Sequence, residues 1–143
     1  MPRSSRAFVL AAVAAGGALG TIGRYELALA EPIVGGRFPW TTLAVNLAGS
    51  LLLGVVLAAL ADRSTAAVWR PFLAVGVCGG LTTFSTWMME SVLLTRDGHG
   101  ATAALYLAVS LALGFGAIVL GVFGTRAVLG RHGPIVFDPA EDD

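Results

Sequence analysis

The sequence predicts an all-α membrane protein with four transmembrane helices, the third of which is broken. Of its 143 residues, 56% are hydrophobic and only 13% are charged, and the mean hydropathy is +0.80. Soluble domains average about 25% charged residues. Four apolar segments have at least the roughly 20 residues that a helix needs to cross a bilayer. We therefore expect a multi-pass protein in the lipid bilayer of the cell membrane, plasma or inner.

The apolar segments and the breaks between them set the predicted boundaries. Spans are predicted over about 7–30, 41–61, 71–94 and 101–129. The polar stretch Asp62 to Arg70 is predicted to be a turn, and the acidic tail 130–143 to be disordered. A signal peptide cleaved after Ala30 is a competing interpretation of the first span, although Arg24 and Glu26 are unusual in one.

The centre of the third span does not have the composition of a simple transmembrane helix. Val75 to Glu90 reads V-G-V-C-G-G-L-T-T-F-S-T-W-M-M-E, so three glycines and four hydroxyl residues interrupt it. Non-helical backbone at membrane depth is tolerated only inside protein or beside a water-filled cavity. Broken helices are also where transporters place ion and substrate sites. We therefore predict the functional site at this break.

Polar residues form a stripe on each of two other spans. Residues at i, i+4 and i+8 share one helix face. The stripes are Thr42, Asn46, Ser50 and Gly54 on the second span, and Thr102, Tyr106, Ser110 and Gly114 on the fourth. One interpretation is a polar pathway. The other is a packed bundle in which these residues, Asn46 among them, only bridge helices by hydrogen bonds.

The hydroxyl and amide groups on these faces are neutral hydrogen-bond donors. Such donors suit an anion that must be held weakly enough to leave. Phe84 and Trp87 are three residues apart, so both ring edges, which carry partial positive charge, point to one side. Carbonyl groups freed near Gly79 and Thr82 instead suit a small cation. Arg24 is either an interfacial residue that reaches toward water or a cation that concentrates anions at a pore mouth.

Several classes of function are not expected. The net charge is zero, so nothing indicates a nucleic-acid partner. The single cysteine, Cys78, excludes an intrachain disulfide and is expected to be a packing residue. No nucleophile–base pair or metal-ligand spacing suggests an enzyme. Four helices enclose little room, so oligomerisation is expected.

Four motifs carry a resemblance that covers about residues 20–124. They are G-T-I-G-R-Y (20–25), F-P-W-T-T-L-A-V-N-L-A-G-S (38–50), G-V-C-G-G-L-T-T-F-S-T-W-M-M-E (76–90) and Y-L-A-V-S-L-A-L-G (106–114). The sequence resembles the Fluc (CrcB) family of fluoride channels. The resemblance implies a dual-topology dimer of antiparallel four-helix subunits, with two pores that export fluoride passively and relieve its toxicity.

The resemblance also implies residue roles. The fluoride pathway would comprise Asn46, Thr83, Phe84, Trp87, Tyr106 and Ser110. The backbone carbonyls of Gly79 and Thr82 would hold a structural Na⁺, which is not transported, at the dimer centre. Arg24 and Glu90 would lie at the vestibule, near the ends of the pore.

Two features depart from the family pattern. The second ring of its aromatic pair is usually phenylalanine, whereas here it is Trp87, which is bulkier and carries an N–H donor. The predicted topology also places six arginines on the side of the termini and three on the other. That imbalance favours one insertion orientation. A heterodimer with an oppositely biased homologue is therefore an alternative to the homodimer.

Two other functions remain open. A small multidrug-type, proton-coupled transporter also has four spans, but it needs a buried acid in its first span, where only Glu26, near the end, is available. A membrane scaffold without transport activity is the second alternative.

Overall fold

The computed structural model describes residues 3–30, 36–61 and 66–131. These residues form helices and the short turns that join them, with no strand in the described ranges. Four helical segments are long and apolar enough to cross a membrane: Arg6–Leu29, Trp40–Ala59, Ala67–Arg96 and Gly100–Val128. The prediction of an all-α membrane protein with four spans is confirmed. The predicted disorder of the tail lies outside the described residues, except for 130 and 131.

Three spans are built on continuous or nearly continuous helices. α1 covers Arg3–Ala30, α2 covers Trp40–Ala59 and α6 covers Gly100–Val128. α2 begins directly after Pro39, which has no amide hydrogen to contribute to a helix. α6 packs along α2. These helices form the frame on which the third span is held.

The third span is a chain of shorter pieces. It consists of α3 (Ala66–Arg70), a π-helical segment (Pro71–Cys78), the single turn α4 (Gly79–Leu81) and α5 (Phe84–Arg96). Between α4 and α5, Thr82 and Thr83 have extended backbone. The predicted break is therefore confirmed. π-helical turns are rare overall, and many of those that occur lie at functional sites.

The start of the third span differs from the prediction. The sequence predicts a polar turn up to Arg70, whereas residues 66–70 are already helical. Pro71 has no amide hydrogen to donate, and it lies where the α-helical pattern gives way to the wider π-helical one. The change in winding lets the helix continue through the proline. Residues 62–65 of the predicted turn lie outside the described ranges.

Glycines let two pairs of helices approach backbone to backbone. A Cβ atom at Gly20 of α1 would meet the Val77 carbonyl, and one at Gly80 would meet the Gly17 carbonyl. In the second pair, a Cβ atom at Gly54 of α2 would meet the Ile118 carbonyl, and one at Gly121 of α6 would meet the Leu51 carbonyl. Small residues at such contacts are typical of helix packing in membranes. The first contact fixes the third span against α1 immediately before the break.

A compact apolar cluster lies beyond the break. Its buried members come from α2, α5 and α6: Leu43, Trp87, Leu94, Ala103 and Tyr106. The Tyr106 side chain is completely buried. The cluster anchors α5 after the extended residues and so determines the direction in which α5 leaves the break.

Candidate functional site: the broken third span and its cavity

The break is held open by a side chain from α2. The amide nitrogen Nδ2 of Asn46 donates to the Thr83 carbonyl oxygen at 3.1 Å, and the Thr83 backbone N–H donates to Oδ1 of Asn46 at 2.8 Å. The two bonds replace the helical partners that an extended residue lacks. Asn46 therefore bridges helices, as one interpretation of the stripe predicts, and it does so at the break itself.

Thr83 also starts the following helix. Its hydroxyl oxygen accepts from the Thr86 backbone N–H at 3.2 Å, and its hydroxyl donates to Oγ1 of Thr86 at 3.0 Å. Threonine is a favoured residue at this capping position because it satisfies an amide at the helix start. One hydroxyl residue thus ends the interruption and begins α5.

The carbonyls of Gly79 and Thr82 lose their helical donors at the break. In a continuous helix, the carbonyl of residue i accepts from the amide of residue i+4. The amide that would serve Gly79 belongs to Thr83 and donates to Asn46, and the amide that would serve Thr82 belongs to Thr86 and donates to the Thr83 hydroxyl. The carbonyls of Gly79 and Thr82 are therefore released from the helical pattern.

The Gly80 carbonyl, which lies between these two in sequence, has a different partner. Nε of Arg24, near the end of α1, donates to the Gly80 carbonyl oxygen at 3.1 Å. Arg24 is half-buried and reaches across from the first span to the break in the third. Its guanidinium group places a fixed positive charge beside the released carbonyls. The interfacial role and the pore-mouth role that the sequence leaves open both stay predictions.

A cavity of about 320 Å³ lies beside the break. Both polar stripes reach it, since it is lined by Asn46 and Ser50 from α2 and by Ser110 from α6. Thr82, Thr83, Phe84 and Trp87 line it from the third span. No charged side chain from the described ranges is among its lining residues. The cavity is thus apolar, with a small number of neutral hydrogen-bonding groups.

Two polar atoms of the lining residues are buried without a hydrogen-bond partner. They are Nε1 of Trp87 and the hydroxyl oxygen of Ser110. By contrast, the hydroxyl of Thr82 donates to the Cys78 carbonyl oxygen at 2.9 Å. Buried polar groups in folded proteins are nearly always paired, so these two atoms are exceptions.

The aromatic pair sits at the edge of this cavity. The rings of Phe84 and Trp87 are in edge-to-face contact, with centroids 5.4 Å apart and planes at 65°. Their burial differs sharply, since Phe84 is 72% exposed and Trp87 only 8%. The spacing of three residues correctly places both rings on one side of α5. Within this chain, the exposed Phe84 ring lacks the packing that surrounds Trp87.

A buried acid lies further along α5. Oε1 of Glu90 accepts from the Thr42 hydroxyl, and Oε2 accepts from the Tyr106 hydroxyl, each at 2.7 Å. Glu90 is only 3% exposed. The resemblance implies that Glu90 lies at a vestibule, whereas within this chain it lies inside the bundle. The three residues join α2, α5 and α6 through one carboxylate.

The structure therefore brings most of the predicted pathway residues together. Asn46, Thr83, Phe84, Trp87 and Ser110 line one cavity, whereas Tyr106 belongs to the neighbouring carboxylate group. Their predicted roles in transport stay predictions. The sequence had also indicated the first stripe, but not that Thr42 and Tyr106 share a carboxylate. Cys78, expected to be a packing residue, is buried and also lines the cavity.

Comparison with known proteins finds one family and several similar members of it. Residues 11–122 match a family described as "CrcB-like protein, Camphor Resistance (CrcB)". A protein of Nitrobacter winogradskyi named fluoride-specific ion channel FluC is 43% identical over 123 residues, covering 85% of this chain and 97% of its own length. FluC of Chlorobium chlorochromatii is 44% identical over 119 residues, covering 82% of this chain and 92% of its own.

A third relative, fluoride-specific ion channel FluC 1 of Mycobacterium bovis, is 45% identical over 121 residues, which cover 83% of this chain and 91% of its own length. The family match, over residues 11–122, includes the break and both polar stripes. The four spans, the broken third helix and these similarities agree, and the chain belongs to the Fluc (CrcB) family.

Proposed function

We propose that this protein is a fluoride-selective channel subunit that exports fluoride passively from the cytoplasm and so relieves its toxicity. The observation that carries the proposal is the cavity of neutral hydrogen-bond donors beside the broken third span, in a chain whose relatives are named fluoride-specific ion channels. Neither a scaffold nor a proton-coupled transporter is favoured by a comparable observation.

The lining chemistry supports a weakly binding anion pathway. An anion that leaves water needs donors, but a fixed cation in the pathway would hold it too tightly for rapid release. Hydroxyl groups, an indole N–H and aromatic ring edges supply donors without a full positive charge. Arg24 adds its charge near the break but is absent from the cavity lining, so it acts on ion concentration rather than on binding.

A second subunit is part of the proposal, because the break cannot face lipid. Phe84 is 72% exposed, and Gly79 and Ser85 are exposed beside it. Released carbonyl groups at membrane depth require protein or water as their partner. An antiparallel partner would cover this face and complete the pathway. The arginine imbalance makes a heterodimer the alternative to a homodimer.

A structural Na⁺ fits the residues at the break. The carbonyls of Gly79 and Thr82 have lost their helical donors, and carbonyl oxygens are the ligands that Na⁺ takes in unwound membrane helices. The ion would neutralise the carbonyl dipoles where two subunits meet. Replacing Na⁺ by N-methylglucamine is then expected to weaken subunit association, measured by size-exclusion chromatography. Unchanged association would count against the ion.

Growth in fluoride tests the proposed function in cells. Bacteria that lack their own fluoride channels are expected to regain growth in fluoride medium when they express this chain, and to lose it again with Phe84→Ile produced at the same level. Resistance to a cationic dye without fluoride resistance would support the multidrug-type transporter. No resistance to either, with the protein present in the membrane, would support the scaffold.

A further inference from the structure

One face of α1 lies in direct contact with the third span. Gly16, Gly20 and Arg24 are spaced four residues apart, so they share this face. A Cβ atom at Gly16 would meet the Phe72 carbonyl, and one at Gly20 would meet the Val77 carbonyl, so the two backbones touch there. Arg24, one helical turn beyond Gly20, is therefore brought against the third span at the break.

The Arg24 side chain donates to a carbonyl that has lost its backbone donor. In a continuous helix, the Gly80 carbonyl would accept from the Phe84 amide. Thr82 and Thr83 are extended, so the helical pattern stops before Phe84. The Gly80 carbonyl oxygen instead accepts from Nε of Arg24 at 3.1 Å.

Two different spans therefore hold the break. Asn46 of α2 bonds the backbone of Thr83, and Arg24 of α1 bonds the backbone of Gly80. A hydrogen bond from a charged donor is stronger than one between neutral groups. Phe84, the first residue of α5 and part of the cavity lining, directly follows the segment that these bonds hold. Its position therefore depends on both of them.

We propose that Arg24 is a positioning residue, whose Nε–H group holds the Gly80 carbonyl, keeps the third span broken and so sets the place of Phe84 at the cavity. This inference rests on the proposed channel function and is distinct from the effect of the Arg24 charge on ion concentration. A charge acts over a distance and needs only to lie near the pathway. The positioning role requires a donor at one place on the side chain, so the two roles respond differently to substitution.

Two variants separate the donor from the charge. In Arg24→Gln, the amide nitrogen Nε2 lies the same number of bonds from the backbone as Nε of arginine, so a donor remains and the charge is lost. In Arg24→Lys, a methylene group takes that place and the charge remains one bond further out. Arg96→Gln and Arg96→Lys are the matched controls, because Arg96 is exposed in the last turn of α5, on the same predicted side of the membrane.

Hydrogen exchange of the full-length protein in lipid nanodiscs measures the break in the absence of fluoride. The amides of Thr83 and Thr86 report on it, because they donate to the side chains of Asn46 and Thr83 at the interruption. Exchange of these two amides is expected to become about tenfold faster in Arg24→Lys. It should stay close to the original rate in Arg24→Gln and in both Arg96 variants.

Fluoride efflux from liposomes is the second measurement. In high salt, where the steering of ions by charge is screened, Arg24→Gln should release fluoride about as fast as the unsubstituted protein. Arg24→Lys should release it more slowly, although it keeps the charge. Equal efflux from the two variants would contradict the proposed effect on Phe84.

The exchange results can overturn the positioning role on their own. Slow exchange in Arg24→Lys would do so, and so would equal damage in both Arg24 variants, including loss of folded protein in both. Folded protein from Arg24→Gln alone would support the role. Failure of the proposed function gives a different result: without fluoride efflux from the unsubstituted protein, the expected difference in exchange keeps the Arg24 contact but removes the channel.

Discussion

Asn46 and Thr83 are joined by two hydrogen bonds, one in each direction, between a side chain of α2 and the backbone of the broken third span. This pair replaces the helical bonds that the extended residue gives up. It also frees the Gly79 carbonyl, because the Thr83 amide is directed to Asn46. The interruption of the helix is therefore stabilised by a residue in another span.

Replacing Asn46 by alanine is expected to destabilise the protein. Both the N–H and the carbonyl of Thr83 would lose a partner, and because Thr83 is partly buried, the cost is expected near the lower end of the range of about 1–3 kcal/mol for an unsatisfied buried group. Thermal unfolding of purified protein, followed by size-exclusion chromatography, measures the effect. Ser50→Ala, one turn further along the same stripe, leaves the Thr83 bonds intact and serves as the control. Equal stability of the two variants would show that the pair does not hold the break.

Thr83 is expected to be replaceable by serine but not by valine. Valine has the same shape as threonine but cannot accept from the Thr86 amide, and the loss of such a cap costs about 1 kcal/mol. Hydrogen exchange at the Thr86 amide should become faster in Thr83→Val and stay slow in Thr83→Ser. Equally slow exchange in both variants would mean that the hydroxyl does not cap α5.

The tyrosines offer a matched test of the buried carboxylate. Tyr106→Phe removes a donor to Glu90 and leaves Oε2 unpaired in the interior, so the free energy of unfolding should fall by about 1–3 kcal/mol. Tyr25→Phe, at a residue that is 60% exposed, should change it little. Denaturant titration of both variants gives the comparison. A Tyr106→Phe protein as stable as Tyr25→Phe would contradict the contact.

Gly20 is expected to reject even a methyl group. A Cβ atom there would meet the Val77 carbonyl and would lie 2.8 Å from the Leu81 amide nitrogen, both backbone atoms just before the break. A Cβ atom at Gly17, one turn earlier on α1, would have nothing within 4 Å. Gly20→Ala should therefore lower both thermal stability and fluoride flux, whereas Gly17→Ala should preserve both. The reverse order would refute the close packing of α1 on the third span.

The sequence was sufficient to predict the four spans and the break, because both depend on local composition. Runs of apolar residues set the spans, and three glycines followed by hydroxyl residues mark the interruption. The spacing of four residues also placed Asn46, Ser50 and Ser110 on the faces that meet at the cavity. The placement of these polar residues on shared faces follows from helical periodicity alone.

The partners of the polar residues could not be predicted, because they depend on how the helices are arranged around one another. Nothing local to Glu90 indicates that it accepts from Thr42 and Tyr106, which are 48 and 16 residues away. The hydrogen bond from Arg24 to the Gly80 carbonyl, 56 residues away, could not be predicted for the same reason.

Fluoride efflux from liposomes that contain only this purified chain is the decisive measurement of channel activity. With Na⁺ present, we expect rapid release of fluoride and no release of chloride from the same preparation. Chloride release at a comparable rate would contradict it. So would absence of fluoride release from folded protein, both for the chain alone and after co-expression with a homologue of opposite charge bias.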